Sequence, residues 1–445
     1  MNSRTPVRGP AARASLTLTA WLAGLTACGL MSIAAPVQAD AVTDWNEITV
    51  ASAAAGRSCP VCALDIALVQ LAVHDAVQAI EQRFEPYHVE VKGAKGSRSA
   101  AVAAAAHDVL VGMYPAQAAS LDATYYTYLA DKGLSGDPGI VVGQKVAAGI
   151  LPLRRATPDP LPAPYVGGTE PGMWRPTPSY LGNPPAPAPF SPMVAPWLAS
   201  TDPFTLTGPA RFRAPAPPAM TSERYRRDFE EVKAVGAFAS STRTAEQTDL
   251  AHFYNDNVFA QWNRAMRAIA ARHLHNIGDT ARLFALANVA TADALITAWE
   301  SKKHYTFWRP LTAIHEADQD GNPHTAADPA WRSLINNPNY PDYSSGYNVV
   351  TAAMTGTLAL YFGRDRMDFE VTSNSPLAVQ KTRSYSRFSA AAQDVVDARV
   401  YLGIHFRFAD TAARTQGREV ARWTFNHFLL PCDGHGYHAQ SEGAQ

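Results

Sequence analysis

Cysteine and charge are both scarce in this chain. Only four of its 445 residues are cysteine, and charged residues make up 17% of it, with 38 basic and 39 acidic side chains and a formal net charge of −1. This balance excludes an extended polybasic surface for nucleic acid. The hydrophobic share of 47% excludes a disordered chain and is sufficient for one large or two medium cores.

The few cysteines do not form a pattern typical of a metal or redox centre. Cys59 and Cys62 are separated by two residues, but no second pair and no matched histidines follow at zinc-binding spacing. The flanking sequence also lacks the βαβ pattern of thioredoxin-like proteins. A structural disulfide or two unreactive thiols is therefore favoured over a redox centre.

Uninterrupted apolar runs of membrane-spanning length are absent after the N-terminal region. Residues 1–39 contain three arginines, no acidic residue, an apolar stretch and a small-residue pattern before Asp40. This combination predicts a signal peptide and an exported, periplasmic or extracellular protein without a transmembrane domain. Lipoprotein cleavage before Cys28, with a lipid anchor, is the alternative, and it is disfavoured because the following residues stay apolar.

Strand-like alternation is scarce, whereas helical periodicity is strong. Apolar residues recur at three- and four-residue steps in four stretches, residues 63–80, 100–113, 245–269 and 280–299. Thr244 with Gln247 forms a capping-box pattern, and Ser222 is placed to begin another helix. The sequence therefore predicts an all-α fold.

Proline is concentrated in one region. Eighteen of the 33 prolines fall between Thr157 and Ser222, which predicts an ordered but irregular connection. Its aromatic residues indicate that it packs on the body and walls a substrate channel. They are Trp174, Tyr180, Phe190, Trp197, Phe204 and Phe212. We expect residues 40–220 to hold a helical scaffold with this loop, and residues 221–445 to form a C-terminal helical bundle with the functional site.

Three short segments in the last third of the chain combine residues that bind tetrahedral oxyanions. Guanidinium and ammonium groups supply positive charge, while a serine hydroxyl and a glycine N–H supply further donors. A histidine among them can act as a nucleophile or as a ligand of a metal oxyanion. The residues are Lys302 and Arg309, then Ser345 and Gly346, then Arg399 and His405.

Local geometry indicates how these segments could meet. Lys302 ends a long helix, and Arg309-Pro310 begins the next, because proline is tolerated at the first helical turn. Ser345 is expected to start a helix whose free N–H groups and dipole face the anion. Arg399 and His405 are expected on one helical stretch, almost two turns apart along its axis.

In order and spacing, the three segments resemble the superfamily that joins vanadium-dependent haloperoxidases to type 2 phosphatidic-acid phosphatases, in its soluble bacterial haloperoxidase-like branch. The resemblance extends to LVQLAVHDAVQAIEQRFEPY, SAAVAAAAHDVLVGMYP and ADALITAWESKKHYTFWRPLTAI. It implies two packed helical bundles with a long proline-rich connection. It implies that His405 is the vanadate ligand or the phosphorylated nucleophile. It also implies that the oxyanion, either vanadate as cofactor or phosphate as substrate, is bound by Lys302, Arg309, Ser345, Gly346 and Arg399.

Two positions depart from the superfamily pattern. Tyr347 stands where a histidine normally acts as acid or base, and a phenol with a pKa of about 10 shuttles protons poorly near neutrality. The acidic residue expected four positions after the final histidine is Asp410, five positions after it, with Ala409 in the fourth place. Trp299 matches the aromatic wall that haloperoxidases place beside vanadate, and a purely structural core position explains it equally well.

Three functions follow from the resemblance. The first is a vanadium-dependent haloperoxidase that uses hydrogen peroxide to oxidise halide, and the soluble, exported architecture favours it. The second is a phosphatase that hydrolyses a phosphate ester through a phosphohistidine at His405. The third is a non-catalytic oxyanion-binding protein, which Tyr347 makes a real alternative. Partners are expected to be small molecules without nucleic acid, and a homodimer is compatible with the sequence.

Overall fold

The structure is almost entirely helical. The computed structural model describes residues 40–57, 59–154, 165–178 and 192–432. Its α-helices are α1 (Ala41–Gly56), α2 (Cys62–Glu81), α3 (Arg98–Met113), α4 (Ala118–Asp131), α5 (Gly139–Ile150), α6 (Glu223–Val235), α7 (Ala245–Phe253), α8 (Val258–His273), α9 (Ile277–Tyr305), α10 (Pro310–His315), α11 (Gly346–Tyr361), α12 (Phe388–Tyr401) and α13 (Arg407–His427). Short 3-10 helices are Pro115–Gln117, Leu151–Arg154, Pro196–Ser200 and Ala317–Gln319. Strands β1 (Arg366–Thr372) and β2 (Thr382–Arg387) form an antiparallel hairpin.

The long helix α9 is the centre of the fold. It is rich in alanine and leucine on every face and is buried from Thr280 to Lys302, as expected for a helix with neighbours all round. One set of helices packs on it through α2, which contacts α1, α3 and α5. A second set packs on it through α11 and α13, which also contact α12. The all-α prediction of packed helical bundles is confirmed.

Two helices in the described part of the chain, α2 and α9, are long and apolar enough to cross a bilayer by length and composition. Both are almost completely buried inside the protein. The signal peptide predicted for residues 1–39 lies outside the described residues.

Helix starts follow the predicted capping residues. Thr244 and Gln247 form the reciprocal capping box of α7, and the Ser222 side chain accepts a backbone N–H at the start of α6. The periodic stretch 245–269 is two helices rather than one. The interruption is a capping site, because the Asn257 side chain accepts two backbone N–H groups and starts α8.

The third predicted segment folds differently from its prediction. Arg399 lies in the last turn of α12, but that helix ends at Tyr401 and His405 lies in the connection before α13. Gly403 explains the break, since its φ of +76° is left-handed and a Cβ there would lie 2.3 Å from the carbonyl oxygen of Gly236. The predicted single helix carrying Arg399 and His405 is therefore wrong.

The described parts of the proline-rich connection pack on the body, as expected. Trp174 and Phe204 are buried. The N–H of Trp174 donates to the carbonyl oxygen of Thr306, just after α9, at 2.6 Å. Tyr180 and Phe190 lie outside the described residues.

Residues on both sides of the predicted boundary near residue 220 belong to one compact unit. Helix α2 before the boundary packs on α9 after it. The assignment of residues 40–220 to a scaffold and of residues 221–445 to the functional site stays a prediction.

Cys59 and Cys62 form a disulfide, which was the first of the two favoured alternatives. Disulfides are typical of exported proteins, and export stays a prediction for this chain.

The imidazole of His107, on α3, lies between two carboxylates. Its Nδ1 is 2.8 Å from Asp108 Oδ1, and its Nε2 is 2.8 Å from Asp122 Oδ1. Burial by itself lowers the pKa of His107, but the hydrogen bonds to both carboxylates outweigh burial and raise this pKa. The charged imidazolium, which donates from both nitrogens, is the form that fits this arrangement.

We expect this arrangement to make the free energy of unfolding depend on pH. The contribution of the charged His107 to the free energy of unfolding is complete below the unfolded-state pKa of histidine, about 6.5. It is lost as pH rises through the raised pKa of His107 in the folded state. Chemical denaturation of His107→Gln should therefore show a smaller loss of stability than the wild type between about pH 6 and pH 9. His88→Gln, at an exposed histidine, is the matched control. An unaltered pH dependence in His107→Gln would contradict the assignment.

Candidate functional site

The first and third predicted segments meet in the protein interior. Arg309 Nη1 lies 3.3 Å from His405 Nε2, although the two residues are 96 positions apart in the chain. Lys302 and Arg309 have no exposed area, and Arg399 is 5% exposed. The basic side chains and the histidine therefore share one buried pocket.

The loop segment Tyr340-Pro341-Asp342 holds both basic residues of the first segment. Lys302 Nζ donates to the carbonyl oxygens of Pro341 at 2.6 Å and of Asp342 at 3.0 Å. Arg309 Nε donates to the carbonyl oxygen of Tyr340 at 2.9 Å. The Tyr340 ring adds a cation–π contact, with its centroid 4.9 Å from Lys302 Nζ and 4.8 Å from Arg309 Cζ. Carbonyls and a ring face orient these groups without neutralising them.

Asp342 is a site residue that sequence reasoning missed. Its Oδ1 lies 2.7 Å from His405 Nδ1 and 3.8 Å from Arg309 Nη1, and the carboxyl group is fully buried. The available signal was an acidic residue two positions before Ser344, in the turn-rich stretch that leads into the second segment. A turn-rich stretch normally places an acid in solvent, so the signal did not point to the site.

Burial dominates the ionisation of this cluster. It raises the pKa of Asp342 to about 7, against the opposing effects of Arg309 and Lys302. Burial, then Arg309 and Lys302, lower the pKa of His405 well below its ordinary value. Burial and Arg309 likewise lower the pKa of Lys302. A neutral imidazole with one unprotonated nitrogen results.

The second segment starts α11, as predicted. Ser345 is the N-cap residue, but its side chain makes no capping hydrogen bond. Its Oγ instead lies 3.4 Å from Asn348 Nδ2, which donates to Asp410 Oδ1 at 2.7 Å. Burial raises the pKa of Asp410 well above its ordinary value, and a hydrogen bond from Ser345 opposes this. Asp410 therefore lies behind the serine, within the site.

Trp299 serves both as a core residue and as a wall of the second segment. It is 2% exposed, and a Cβ added to Gly346 would lie 3.0 Å from its Cζ3. Its ring centroid is 5.8 Å from Lys302 Nζ, and its Nε1 donates to the carbonyl oxygen of Val194 at 3.1 Å. Glycine at position 346 thus allows the start of α11 to approach the indole closely.

Tyr347 presents its ring to the basic cluster. The Arg399 guanidinium carbon lies 4.7 Å from the ring centroid, while the hydroxyl donates to Gln261 Oε1 at 2.8 Å. Arg399 Nη1 donates to the carbonyl oxygen of Tyr254 at 3.2 Å. Burial raises the pKa of Tyr347, so its phenol stays protonated at neutral pH. A catalytic role for Tyr347 stays a prediction.

Several buried polar atoms of the site have no hydrogen-bond partner within the protein. They are Arg309 Nη2, Arg399 Nε, Asp342 Oδ2 and Asp410 Oδ2. Buried N–H donors without acceptors cost about 1–3 kcal/mol each. Three basic side chains also outnumber the two carboxyl groups. A tetrahedral oxyanion would supply both acceptors and negative charge, so the residues present fit vanadate or phosphate.

Comparisons with known proteins agree with this geometry. Residues 282–434, which include all six predicted oxyanion-binding residues, match the VCPO second helical-bundle domain. These findings support the resemblance to the superfamily of vanadium haloperoxidases and type 2 phosphatidic-acid phosphatases. Vanadium chloroperoxidase of Curvularia inaequalis is 28% identical over 183 residues, which cover 31% of this chain. The match spans 29% of the length of that curated relative.

Solved structures of vanadium haloperoxidases share the fold. A bacterial vanadium-dependent iodoperoxidase is similar with a TM-score of 0.69 and 23% identity, covering 88% of this chain and 96% of the other. A holo-type bacterial vanadium-dependent chloroperoxidase has a TM-score of 0.65 and 18% identity, covering 88% and 94%. The similarity in fold therefore extends over both helical sets.

We expect an oxyanion to stabilise this protein. Phosphate would accept hydrogen bonds from Arg309 Nη2 and Arg399 Nε and offset the charge of Lys302. At a hundredfold excess over Kd, the free energy of unfolding should rise by about 2.7 kcal/mol. Differential scanning fluorimetry in increasing sodium phosphate measures the rise in Tm, with sodium chloride at equal ionic strength as control. An equal rise in chloride would count against a specific site.

Proposed function

We propose that the protein binds vanadate and acts as a vanadium-dependent haloperoxidase, using hydrogen peroxide to oxidise halide. The observation that carries this proposal is the 3.3 Å approach of His405 Nε2 to Arg309 Nη1 inside a buried basic pocket. Vanadate, when bound, supplies a Lewis-acidic centre that activates hydrogen peroxide. The similar proteins are an iodoperoxidase and chloroperoxidases, which favours this function over a phosphatase.

Each residue of the pocket has a separate proposed role in binding the oxyanion. His405 would ligate the metal of the oxyanion through Nε2, the nitrogen that faces Arg309. Ser345 and the N–H groups at the start of α11 would donate to its oxygens. Three basic side chains would balance the anion's charge in a site closed to bulk water, where such interactions are strong. They are Lys302, Arg309 and Arg399.

Access to the pocket is proposed to pass Tyr340 and Tyr347. These are half-buried, whereas the basic side chains and His405 are buried. The proline-rich connection lies beside this edge, because the N–H of Val194 donates to the carbonyl oxygen of Asn339 at 2.9 Å. The carbonyl oxygen of Val194 also accepts a hydrogen bond from Trp299 Nε1. This position supports the expectation that the connection walls a substrate channel.

We predict that protein incubated with orthovanadate gains halogenation of a phenol dye that depends on both peroxide and halide. Absorbance of the dye with iodide, bromide or chloride measures it. His405→Ala should lose the vanadate-dependent activity, because it removes the only imidazole proposed to ligate vanadium. His304→Ala, at an exposed histidine near Lys302, is the matched control and should keep the activity. Hydrolysis of an aryl phosphate without any halogenation would replace this function with the phosphatase.

Binding without turnover is the second candidate function. It is favoured by one observation: the Tyr347 hydroxyl is engaged by Gln261 at 2.8 Å instead of facing the oxyanion pocket. A rise in Tm with phosphate or vanadate, with neither halogenation nor ester hydrolysis, would establish this alternative.

Tyr347→His tests whether the proton donor limits turnover. An imidazole at this position has a reference pKa of about 6.5 and would supply general acid–base catalysis, which is typically worth roughly 100-fold or more. We expect kcat for halide oxidation to rise in Tyr347→His. Tyr347→Phe is the control, since it keeps the ring beside Arg399 and removes only the hydroxyl. A similar gain in Tyr347→Phe would show that the imidazole is not the cause.

A further inference from the structure

Asp342 connects the loop before α11 to the other two site segments. Its carboxyl Oδ1 is 2.7 Å from His405 Nδ1, and its backbone carbonyl accepts from Lys302 Nζ at 3.0 Å. It has no exposed area. The Arg309 guanidinium lies farther away, at 3.8 Å, and its Nη1 donates instead to the carbonyl oxygen of Ile404 at 2.7 Å. The imidazole is therefore a closer polar contact of this carboxyl group than the guanidinium is, and the backbone of Phe406 also donates to the carboxyl group.

The contact with Arg309 selects one tautomer of His405, and the contact with Asp342 is compatible with it. A guanidinium can only donate hydrogen bonds, so Nε2, 3.3 Å from Arg309 Nη1, must be the nitrogen without a proton. The proton of the neutral ring is then on Nδ1, where Asp342 Oδ1 accepts it at 2.7 Å. A carboxyl oxygen can accept this hydrogen bond in either protonation state. The assignment therefore does not depend on the charge of Asp342.

The hydrogen bond with Asp342 matters because the backbone around His405 is not helical. Helix α12 ends at Tyr401 and α13 begins at Arg407, so His405 lies in a connection and not on a helix face. A helix would restrict the direction of the side chain, whereas a loop leaves the ring to be oriented by its partners.

We propose that Asp342 is the positioning residue that holds His405 with Nε2 directed at the bound oxyanion. This role rests on the proposed function, in which His405 Nε2 ligates vanadate. Asp342 acts through His405 by accepting the Nδ1 hydrogen bond, and the property that matters is the acceptor oxygen. Outer-shell partners of metal-ligating histidines typically contribute 10- to 100-fold in affinity.

Two substitutions of similar size separate the acceptor oxygen from the negative charge. Asp342→Asn keeps an oxygen that can accept from Nδ1 and removes the charge, whereas Asp342→Leu removes both. With orthovanadate as the probe and equilibrium dialysis as the measurement, Asp342→Leu should weaken binding about 10- to 100-fold. Asp342→Asn should stay within a few-fold of the wild type. Equal losses in both variants would assign the effect to charge and overturn the proposal.

A control removes a buried carboxylate elsewhere. Asp75 accepts from the N–H groups of Tyr87, His88 and Val89, away from the oxyanion pocket. Asp75→Asn should lower stability and leave vanadate affinity unchanged. Wild-type affinity in Asp342→Leu would also overturn the proposal.

The tautomer itself provides a readout that does not need vanadate. ¹⁵N NMR of histidine-labelled, anion-free wild-type protein, with the His405 signal assigned by its loss in His405→Gln, should show the proton on Nδ1. A proton on Nε2 would overturn the proposal even if Asp342→Leu does not fold. If the tautomer is as expected but the wild type binds no vanadate, the proposed function fails, while the hydrogen bond from His405 Nδ1 to Asp342 is confirmed.

Discussion

Burial of three basic side chains with too few carboxyl groups is the constraint on which this site depends. Lys302, Arg309 and Arg399 are held mainly by backbone carbonyl oxygens, which satisfy N–H donors but carry no net charge. A buried charge without a counter-charge is costly. The lowered pKa of each of the three groups reflects that cost. A bound oxyanion would supply the missing counter-charge.

Helix ends, rather than helix faces, form the pocket. Lys302 lies in the last turn of α9, and Arg399 lies in the last turn of α12. Arg309 directly precedes α10, and Ser345 directly precedes α11. His405 lies shortly before α13. Terminal residues leave regular backbone geometry, so their side chains can turn toward one point. The packed helices thus bring five of their ends together around the candidate oxyanion site.

Tyr347 shows how the superfamily arrangement is altered in this chain. Its ring packs beside the Arg399 guanidinium and its hydroxyl is bound by Gln261. The aromatic side chain therefore preserves the position of one basic group while offering no imidazole for proton transfer. Asp410 lies behind Ser345 despite its one-residue shift along α13, because Asn348 donates to its carboxyl group.

The helical class, the candidate oxyanion-binding residues and several helix starts could be predicted from the sequence alone, because they depend on local periodicity, capping and motif order. Thr244 with Gln247, and Pro310 after Arg309, act within a few residues of themselves. Only the tertiary structure decided the break after α12, which comes from the approach of Gly403 to Gly236. It alone decided the pairing of Asp342 with His405, whose partners are 63 residues apart. Such contacts form only when distant segments fold together, so no local pattern specifies them.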